Sequence, residues 1–417
     1  MDLLDLSYLA AVSLAGGVAR ALRRGLPEGW RQRLEAHPGV PLQSGWVWVH
    51  AVSVGELLLA EGILGRLREA GCRVHVTTGT VAGLQLLQRR LESWNKGTGR
   101  ITGNAFPLDD PTGLRPFFAV PPCLYIGLET ELWPNLLREL NEREIPALIV
   151  NGRLTARSLE RGGLWLRRAA SRLTRVAARD EASVEAFRRL GAPDVVLGGN
   201  LKADLPPPPA LHSGWDGLCS AWAKDPIVVV GNTVDGEETL VIRAWQKARE
   251  RFPNLKLILA PRQPKRFPLV AECFQAEGLA FRQASGVWDA QGWSGVDVLL
   301  MDTLGELASA YREGTVALIG GGWTWSGGHN PLESVRWGLP TLIGPGCDNF
   351  EDLVIPLQQA ELLVVTPAEE LDDMLIEFLE RSVLRPAQSE SPALPGELRG
   401  ALDRTWKELK DFLPDSR

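Results

Sequence analysis

Two segments of this chain carry the residue types that group transfer needs. Val52-Ser53-Val54-Gly55-Glu56 follows an apolar run and sets a carboxylate where a strand passes into a helix. A carboxylate there can act as a general base, taking the proton of an attacking hydroxyl. Gly327-Gly328-His329-Asn330-Pro331-Leu332-Glu333 follows a second apolar run far downstream. Its glycines let backbone approach a ligand closely, and the N–H groups at a helix start favour an anion. A base on one half and an anion cradle on the other fit transfer of a group away from a phosphate, across a cleft between two domains.

Within the downstream segment, Pro331 suits a first helical turn, where its missing donor costs nothing, and Asn330 is then the expected N-cap. Glu333 has two readings: it accepts a pair of ribose hydroxyls, or it reaches back as a capping-box partner. His329 is read as an orienting donor, and Gly320-Gly321-Gly322 just upstream adds to the cradle. Two further segments converge on the same edge. Pro261 and Arg262 end the strand Leu255–Leu259, and an arginine there can pair bidentately with a phosphate. Asp302-Thr303-Leu304-Gly305-Glu306 ends the strand Val296–Met301 and opens a helix. Neither a Walker A lysine nor GxGxxG is present, which argues against P-loop and dinucleotide chemistry. In the first half, Glu129 and Glu131 follow another apolar strand, and Lys202 can offset negative charge. The plain structural alternatives are a helix-start acid at Glu56, a solvated Lys202 and a surface ion pair at Arg262.

These residues need elements to hold them. From Trp46 the chain alternates short apolar runs with helical stretches: strands at Trp46–Val49, Arg73–Thr77, Pro122–Gly127 and Ala147–Val150, with helices at Leu57–Ala70 and Val81–Arg90. Leu205-Pro206-Pro207-Pro208-Pro209 cannot continue a helix or a central strand and reads as a stiff connector. The alternation then restarts with Ile227–Val230, helix Glu237–Arg249, Leu255–Leu259, helix Lys265–Glu277, Val296–Met301, Val316–Ile319 and Thr341–Ile343. Strands with continuous apolar runs, each followed by a helix, predict an α/β fold with two parallel sheets covered on both faces. Ligands of such sheets bind at the carboxyl ends of the strands.

Composition narrows the partners. At 417 residues the chain is long enough for two domains, and 45% hydrophobic with 23% charged residues is a globular balance. A net charge of −6 argues against nucleic acid. Five scattered cysteines without a CxxC pair, and five dispersed histidines, predict neither a disulfide framework nor a metal site, and fit a reducing compartment. At the N-terminus, Leu6 to Ala19 is free of charge, flanked by Asp2 and Asp5 before and Arg20, Arg23 and Arg24 after. That is short of the about 20 apolar residues of a bilayer span, and a signal peptide would carry its basic residues first. Two readings stay open: a helix lying on a membrane with the three arginines at the headgroups, or an amphipathic helix packed on the first domain. Between Asn151 and Asp180 stand eight arginines (Arg153, Arg157, Arg161, Arg167, Arg168, Arg172, Arg175, Arg179) against Glu160 and Asp180. This predicts a basic face for an anionic lipid or a phosphorylated acceptor, or else a solvated helix flank.

Ser53–Glu56, Glu129-Thr130-Glu131-Leu132-Trp133-Pro134-Asn135, Asn151-Gly152-Arg153-Leu154, Gly199-Asn200-Leu201-Lys202, Asp302–Leu307 and Gly327–Glu333 occur in that order. The set resembles the 3-deoxy-D-manno-octulosonic acid (Kdo) transferases of lipopolysaccharide synthesis, from about Trp46 to Phe350. The resemblance implies a glycosyltransferase-B fold and an inverting enzyme at the cytoplasmic face of the inner membrane. It implies CMP-Kdo as the nucleotide-sugar donor and a lipid A precursor as acceptor; with Arg262, the Gly327–Gly328 amides and the helix dipole on the leaving phosphate, no metal or other cofactor is expected. By position, Glu56 matches the proton acceptor, and Glu129 and Lys202 match the transition-state residues. Pro261, Arg262, Leu304, Gly305, Glu306 and Asn330 to Glu333 match the CMP-binding positions. The family usually has His at Gln263 and Val234, Met at Leu304, Phe at Ala203 and Ser-Thr at Asn232-Thr233, and Trp323-Thr324-Trp325-Ser326 is unusual in it. The implied organisation is a membrane-associating region 1–45, an acceptor domain 46–205, a linker 206–225 and a CMP-binding domain 226–417. The alternatives are a transferase or epimerase of the same fold using a UDP-sugar, and a catalytically silent nucleotide-binding homologue.

Overall fold

The computed structural model describes residues 3–39, 42–95, 100–154, 156–205, 215–286, 291–383 and 394–414. The Pro206–Pro209 run lies outside these residues. The chain divides into two compact units, residues 1–205 with 400–417, and residues 206–399.

The first unit is a seven-stranded parallel sheet in the order β3-β2-β1-β4-β5-β6-β7. Its strands are β1 (Trp46–His50), β2 (Arg73–Thr78), β3 (Ile101–Ala105), β4 (Leu124–Leu128), β5 (Ala147–Gly152), β6 (Arg175–Ala178) and β7 (Val195–Leu197). Every residue of β1, β4 and β5 is buried, as a sheet covered on both faces requires. Four helices that follow strands start on a side-chain cap: Ser53, Thr80, Asp110 and Asp180 each accept the N–H three residues on. One of the two clusters flanking the sheet is aromatic. Trp46 and Trp48 pack there with Phe106, Phe117 and Tyr125, and their indole N–H groups reach Val120 O (2.8 Å) and Thr77 Oγ1 (2.9 Å).

The second unit repeats the plan with β8 (Ile227–Thr233), β9 (Lys256–Pro261), β10 (Phe281–Gln283), β11 (Val298–Leu300), β12 (Val316–Ile319), β13 (Thr341–Ile343) and β14 (Leu363–Val365). The order is β10-β11-β9-β8-β12-β13-β14, so the strand order reverses beside β8, between the loops that leave β8 and β12.

Two expected boundaries move. Residues 400–417 belong to the first unit, not to a domain 226–417. Asp204 accepts the N–H groups of Gly400 (3.0 Å) and Leu402 (2.6 Å), capping the helix Ala401–Lys410, and buried Ala401 and Leu409 join the first unit's core. Residues 215–225, expected as linker, include the helix Asp216–Trp222, whose Leu218 and Trp222 are buried in the second unit. The basic face is also smaller than its arginine count. Arg172 pairs with Asp5, Arg175 with Asp194 (2.6 Å) and Glu408 (2.9 Å), and Arg179 with Asp180 (2.7 Å).

The N-terminal helix Leu3–Ala21 packs on the first unit through polar contacts. Tyr8 donates to Asp109 (3.2 Å), Arg20 forks onto Asp110 (2.6 and 2.8 Å), and buried Asp5 meets Arg172. Arg20 therefore points inward, contrary to the headgroup expectation. The approach needs Gly16, where a Cβ would stand 2.5 Å from Asp110 Oδ2. Among the described residues no helix is long and apolar enough to cross a membrane.

Candidate functional site

In the first unit the candidate residues Glu56, Glu129 and Glu131 gather at the carboxyl ends of β1 and β4, which are neighbours in the sheet. Ser53 caps the helix after β1, and Glu56 sits at its third position. Glu56 Oε2 accepts the Val52 N–H (2.6 Å) and Oε1 accepts the Ser53 hydroxyl (3.2 Å), while Ser53 Oγ accepts the Glu56 N–H (3.4 Å). The arrangement is a capping box in which the acid reaches back to the residue before the cap. Glu56 nonetheless stays half-buried rather than enclosed. Burial first, then the charges of Glu131 and Glu129, push its carboxyl up to about 7, against the pull of the Val52 N–H and the Ser53 hydroxyl. A carboxyl poised there exchanges a proton near neutral pH, as a general base must.

Glu129 and Glu131 leave β4 together. Glu129 adopts φ +59°, a left-handed conformation that a non-glycine residue takes at a cost of about 1–3 kcal/mol and that clusters at functional sites. Its N–H donates to Val150 O (3.0 Å), which fixes the turn. Glu131 Oε2 accepts the Trp133 indole N–H (2.6 Å) and lies 3.0 Å from Nε2 of fully buried His50. His50 in turn stacks on Phe106, with ring centroids 3.9 Å apart. Lys202 stands further along the same edge, in a 3₁₀ turn Leu201–Asp204 capped by Asn200. That turn is joined to the end of β5 by the Leu201 N–H donating to Asn151 Oδ1 (2.9 Å).

In the second unit the glycine segments do something other than expected. The carboxylate of Glu237, 0% exposed, accepts the N–H groups of Gly321 (2.7 Å), Gly322 (3.0 Å), Trp323 (2.9 Å) and Val234 (3.1 Å). The anion held by the Gly320–Gly322 loop is thus part of the chain itself. The N–H groups of Gly327 and Gly328 are likewise committed, to Gly346 O (2.8 Å) and Gly321 O (3.0 Å). The cradle expected from them is not available for a phosphate. These glycines serve close packing: a Cβ on Gly328 would meet Cys347 Cα at 2.9 Å.

The remaining positions lie around that laced loop. Pro261 ends β9 and is buried, and Arg262, whose N–H donates to Thr233 O (3.0 Å), projects as an exposed side chain with no hydrogen-bond or ion-pair partner among the described residues. Burial, then the charge of Arg262, drops the His329 imidazole to about 4, so it is neutral at pH 7. Its Nε2 is buried and has no hydrogen-bond partner among the described residues. Asn330 Oδ1 accepts the Leu332 N–H (3.2 Å), but the N-cap of the short helical turn Leu332–Val335 is Pro331 and not Asn330 as expected. Glu333 is half-buried; burial first, then the charge of Glu333, raises the Tyr311 phenol. On the loop after β11, Gly305 takes φ +88° and Leu304 is exposed. The Glu306 carboxylate accepts the Thr303 hydroxyl and the Trp215 indole N–H (3.2 Å). Among the described residues no three His, Cys, Asp or Glu side chains are grouped to hold a metal ion.

Sequence reasoning passed over Glu237 and His50. Nothing near Glu237 in the chain marks it; only the pairing of β8 with β12 brings it to the glycine loop. His50 ends a strand of wholly buried residues.

Comparison with known proteins gives the family and the fold. A family model described as "3-Deoxy-D-manno-octulosonic-acid transferase (kdotransferase)" matches residues 28–205. The chain is 31% identical to the 3-deoxy-D-manno-octulosonic acid transferase of Haemophilus influenzae over 92% of each chain. It is 33% identical to the Bordetella pertussis protein of the same name, over 88% of this chain and 87% of that one. The chain belongs to the Kdo transferase family. It is a glycosyltransferase. Among solved structures it is similar to a putative UDP-N-acetylglucosamine 2-epimerase from Listeria monocytogenes, with TM-score 0.60 and 12% identity over 88% of this chain and 96% of that one. Another UDP-N-acetylglucosamine 2-epimerase gives TM-score 0.61 and 10% identity over 89% and 96%. At such identities the likeness speaks for the fold, the glycosyltransferase-B type with two Rossmann-like units that the sequence predicts.

In this Kdo transferase family member, Glu237→Ala leaves four inward-facing N–H groups without an acceptor. An unsatisfied buried donor costs about 1–3 kcal/mol, so the substitution is expected to lower the unfolding free energy by at least about 3 kcal/mol in urea titrations. An unchanged midpoint would show that the loop does not depend on this carboxylate.

Proposed function

We propose that this enzyme is an inverting transferase that moves Kdo from CMP-Kdo to a lipid A-type acceptor in lipopolysaccharide synthesis. The observation that carries the reading is the half-buried Glu56 carboxyl, raised to about 7 beside Glu131 and Glu129 in a chain of the Kdo transferase family. In this reading Glu56 takes the proton of the acceptor hydroxyl. The freed oxygen attacks the anomeric carbon of Kdo and forms the glycosidic bond. The bond from that carbon to the phosphate oxygen breaks, and its electron pair leaves with CMP. Attack from the side opposite the leaving group inverts the centre. Glu129 offsets positive charge growing on the anomeric carbon, and Lys202 offsets negative charge.

The second unit holds the donor. Arg262 takes the departing phosphate, so the amides of Gly327 and Gly328 are not needed for it. Asn330 to Glu333 and the Leu304–Glu306 turn supply the edge for the nucleoside. With Arg262 neutralising the phosphate, the reading uses no metal ion. Incubation with CMP-Kdo and a lipid A precursor is expected to give a product heavier by one or more Kdo residues, read by mass spectrometry. Transfer from a UDP-sugar instead, or CMP binding without any product, would contradict it.

We also propose that the enzyme works on the cytoplasmic face of the inner membrane, lying on the surface. The N-terminal helix supports this reading. Its inward side carries Asp5, Tyr8, Gly16 and Arg20, while Leu6, Leu14 and Val18 on the other side, and Leu22 just beyond, are exposed. Leu164 and Trp165 are exposed nearby, and Trp165 meets Tyr8 edge-on at 5.4 Å. Exposed Arg23, Arg24 and Arg167 add positive charge. Apolar side chains beside cations on one face suit an anionic bilayer surface. The double variant Leu14→Glu, Val18→Glu is expected to stop co-flotation with vesicles containing phosphatidylglycerol, leaving the protein folded; unchanged flotation would rule out this surface.

A further inference from the structure

One cavity in the second unit is not taken up by the residues assigned above, apart from Arg262 at its edge. It holds about 520 Å³, and lies between the loops that leave β8, β9 and β12. That volume is in the range of sites for small ligands. Arg262, Gln263, Lys265 and Arg266 line one side, and Thr324 and Trp325 the other.

The charges in this cavity are not balanced. Arg266 is spent on Asp235 (2.8 Å) and Glu238 (2.8 Å), and Asp235 is the one acid in the lining. Arg262 and Lys265 have no hydrogen-bond or ion-pair partner among the described residues, and both are exposed. The Thr324 hydroxyl donates to Asp235 O (2.8 Å), which anchors the wall that carries Trp325. The Trp325 side chain is 64% exposed, although Trp323, two residues earlier, is tied down by its indole N–H to Thr366 O (2.8 Å). An aromatic face left open beside two unpaired cations matches a ligand with an apolar ring face and two anionic groups.

We propose that this cavity is the subsite for the acidic sugar of the donor, with Lys265 on the sugar carboxylate and the Trp325 indole against the ring's C–H face. The proposal rests on the transferase reading above. It follows from position: the sugar of the donor is bonded directly to the phosphate that Arg262 receives, and the cavity begins at Arg262. Trp325 and Lys265 are then specificity-determining residues. They recognise the sugar and not the nucleotide.

The test measures the donor KM with CMP-Kdo and the inhibition constant of CMP, in wild type, Trp325→Ala, Trp325→Phe, Lys265→Ala and Lys265→Arg. Losing the charge-assisted contact in Lys265→Ala, or the apolar ring contact in Trp325→Ala, is expected to raise the donor KM about tenfold or more. Trp325→Phe and Lys265→Arg should recover most of that loss. Inhibition by CMP should change by less than about twofold throughout, which also reports that the unit remains folded. A parallel weakening of CMP would mean that these side chains touch the nucleotide, and an unchanged donor KM would mean that they touch nothing; either overturns the subsite alone. A wild type that neither turns over CMP-Kdo nor is inhibited by CMP would overturn the transferase reading, and the subsite with it.

Discussion

Loops that leave the carboxyl ends of parallel strands carry backbone N–H groups that no neighbouring strand can satisfy, and both units meet this constraint with a glutamate. In the first unit Glu56 takes the Val52 N–H and the Ser53 hydroxyl. In the second, Glu237 takes four N–H groups from two loops. The outcomes differ because the surroundings differ. Glu237 is sealed, and its bonds hold the β8 and β12 loops in one arrangement. Glu56 keeps partial contact with solvent and faces two other acids, so its proton is exchangeable near neutral pH. The same local device gives a fixed scaffold in one unit and a carboxyl that titrates near neutral pH in the other.

The polar contacts of the N-terminal helix show a similar division. Asp5, Tyr8 and Arg20 tie one side of it to Arg172, Asp109 and Asp110. Burial pushes the Asp109 carboxyl up to about 7, against the N–H groups of Asn135 and Leu136 that it accepts. A helix pinned through its polar side must turn its apolar side outward, which is the reverse of the usual arrangement on a globular surface.

Much of this was legible in the sequence, for identifiable reasons. Apolar runs such as Trp46–Val49 and Val316–Ile319 announce buried parallel strands, and the amphipathic stretches between them announce the helices, though not that the first of these begins at Val54 under a Ser53 cap. Strands β6 and β7, short and flanked by charged residues, carry too little apolar signal to stand out. The failures share one cause, contact between residues far apart in the chain. The glycines at 320–322 and 327–328 look like an open anion cradle until Glu237 and the Gly346 carbonyl are seen to fill it. The arginines of 151–180 look like a basic face until Asp5, Asp194 and Glu408 arrive from distant segments. Residues 400–417 follow the second unit in sequence, but Asp204 draws their helix back to the first.

The central claim is that Glu56 is the base that starts the transfer. The most direct measurement is kcat/KM for CMP-Kdo transfer between pH 5 and 9, in wild type and in Glu56→Gln. The wild type should lose activity below about pH 7, because protonated Glu56 cannot accept the acceptor's proton. Glu56→Gln should be slower by ~10²–10⁴-fold and lack that acidic limb. A Glu56→Gln enzyme with near-normal turnover, or one that keeps the same limb, would contradict the account.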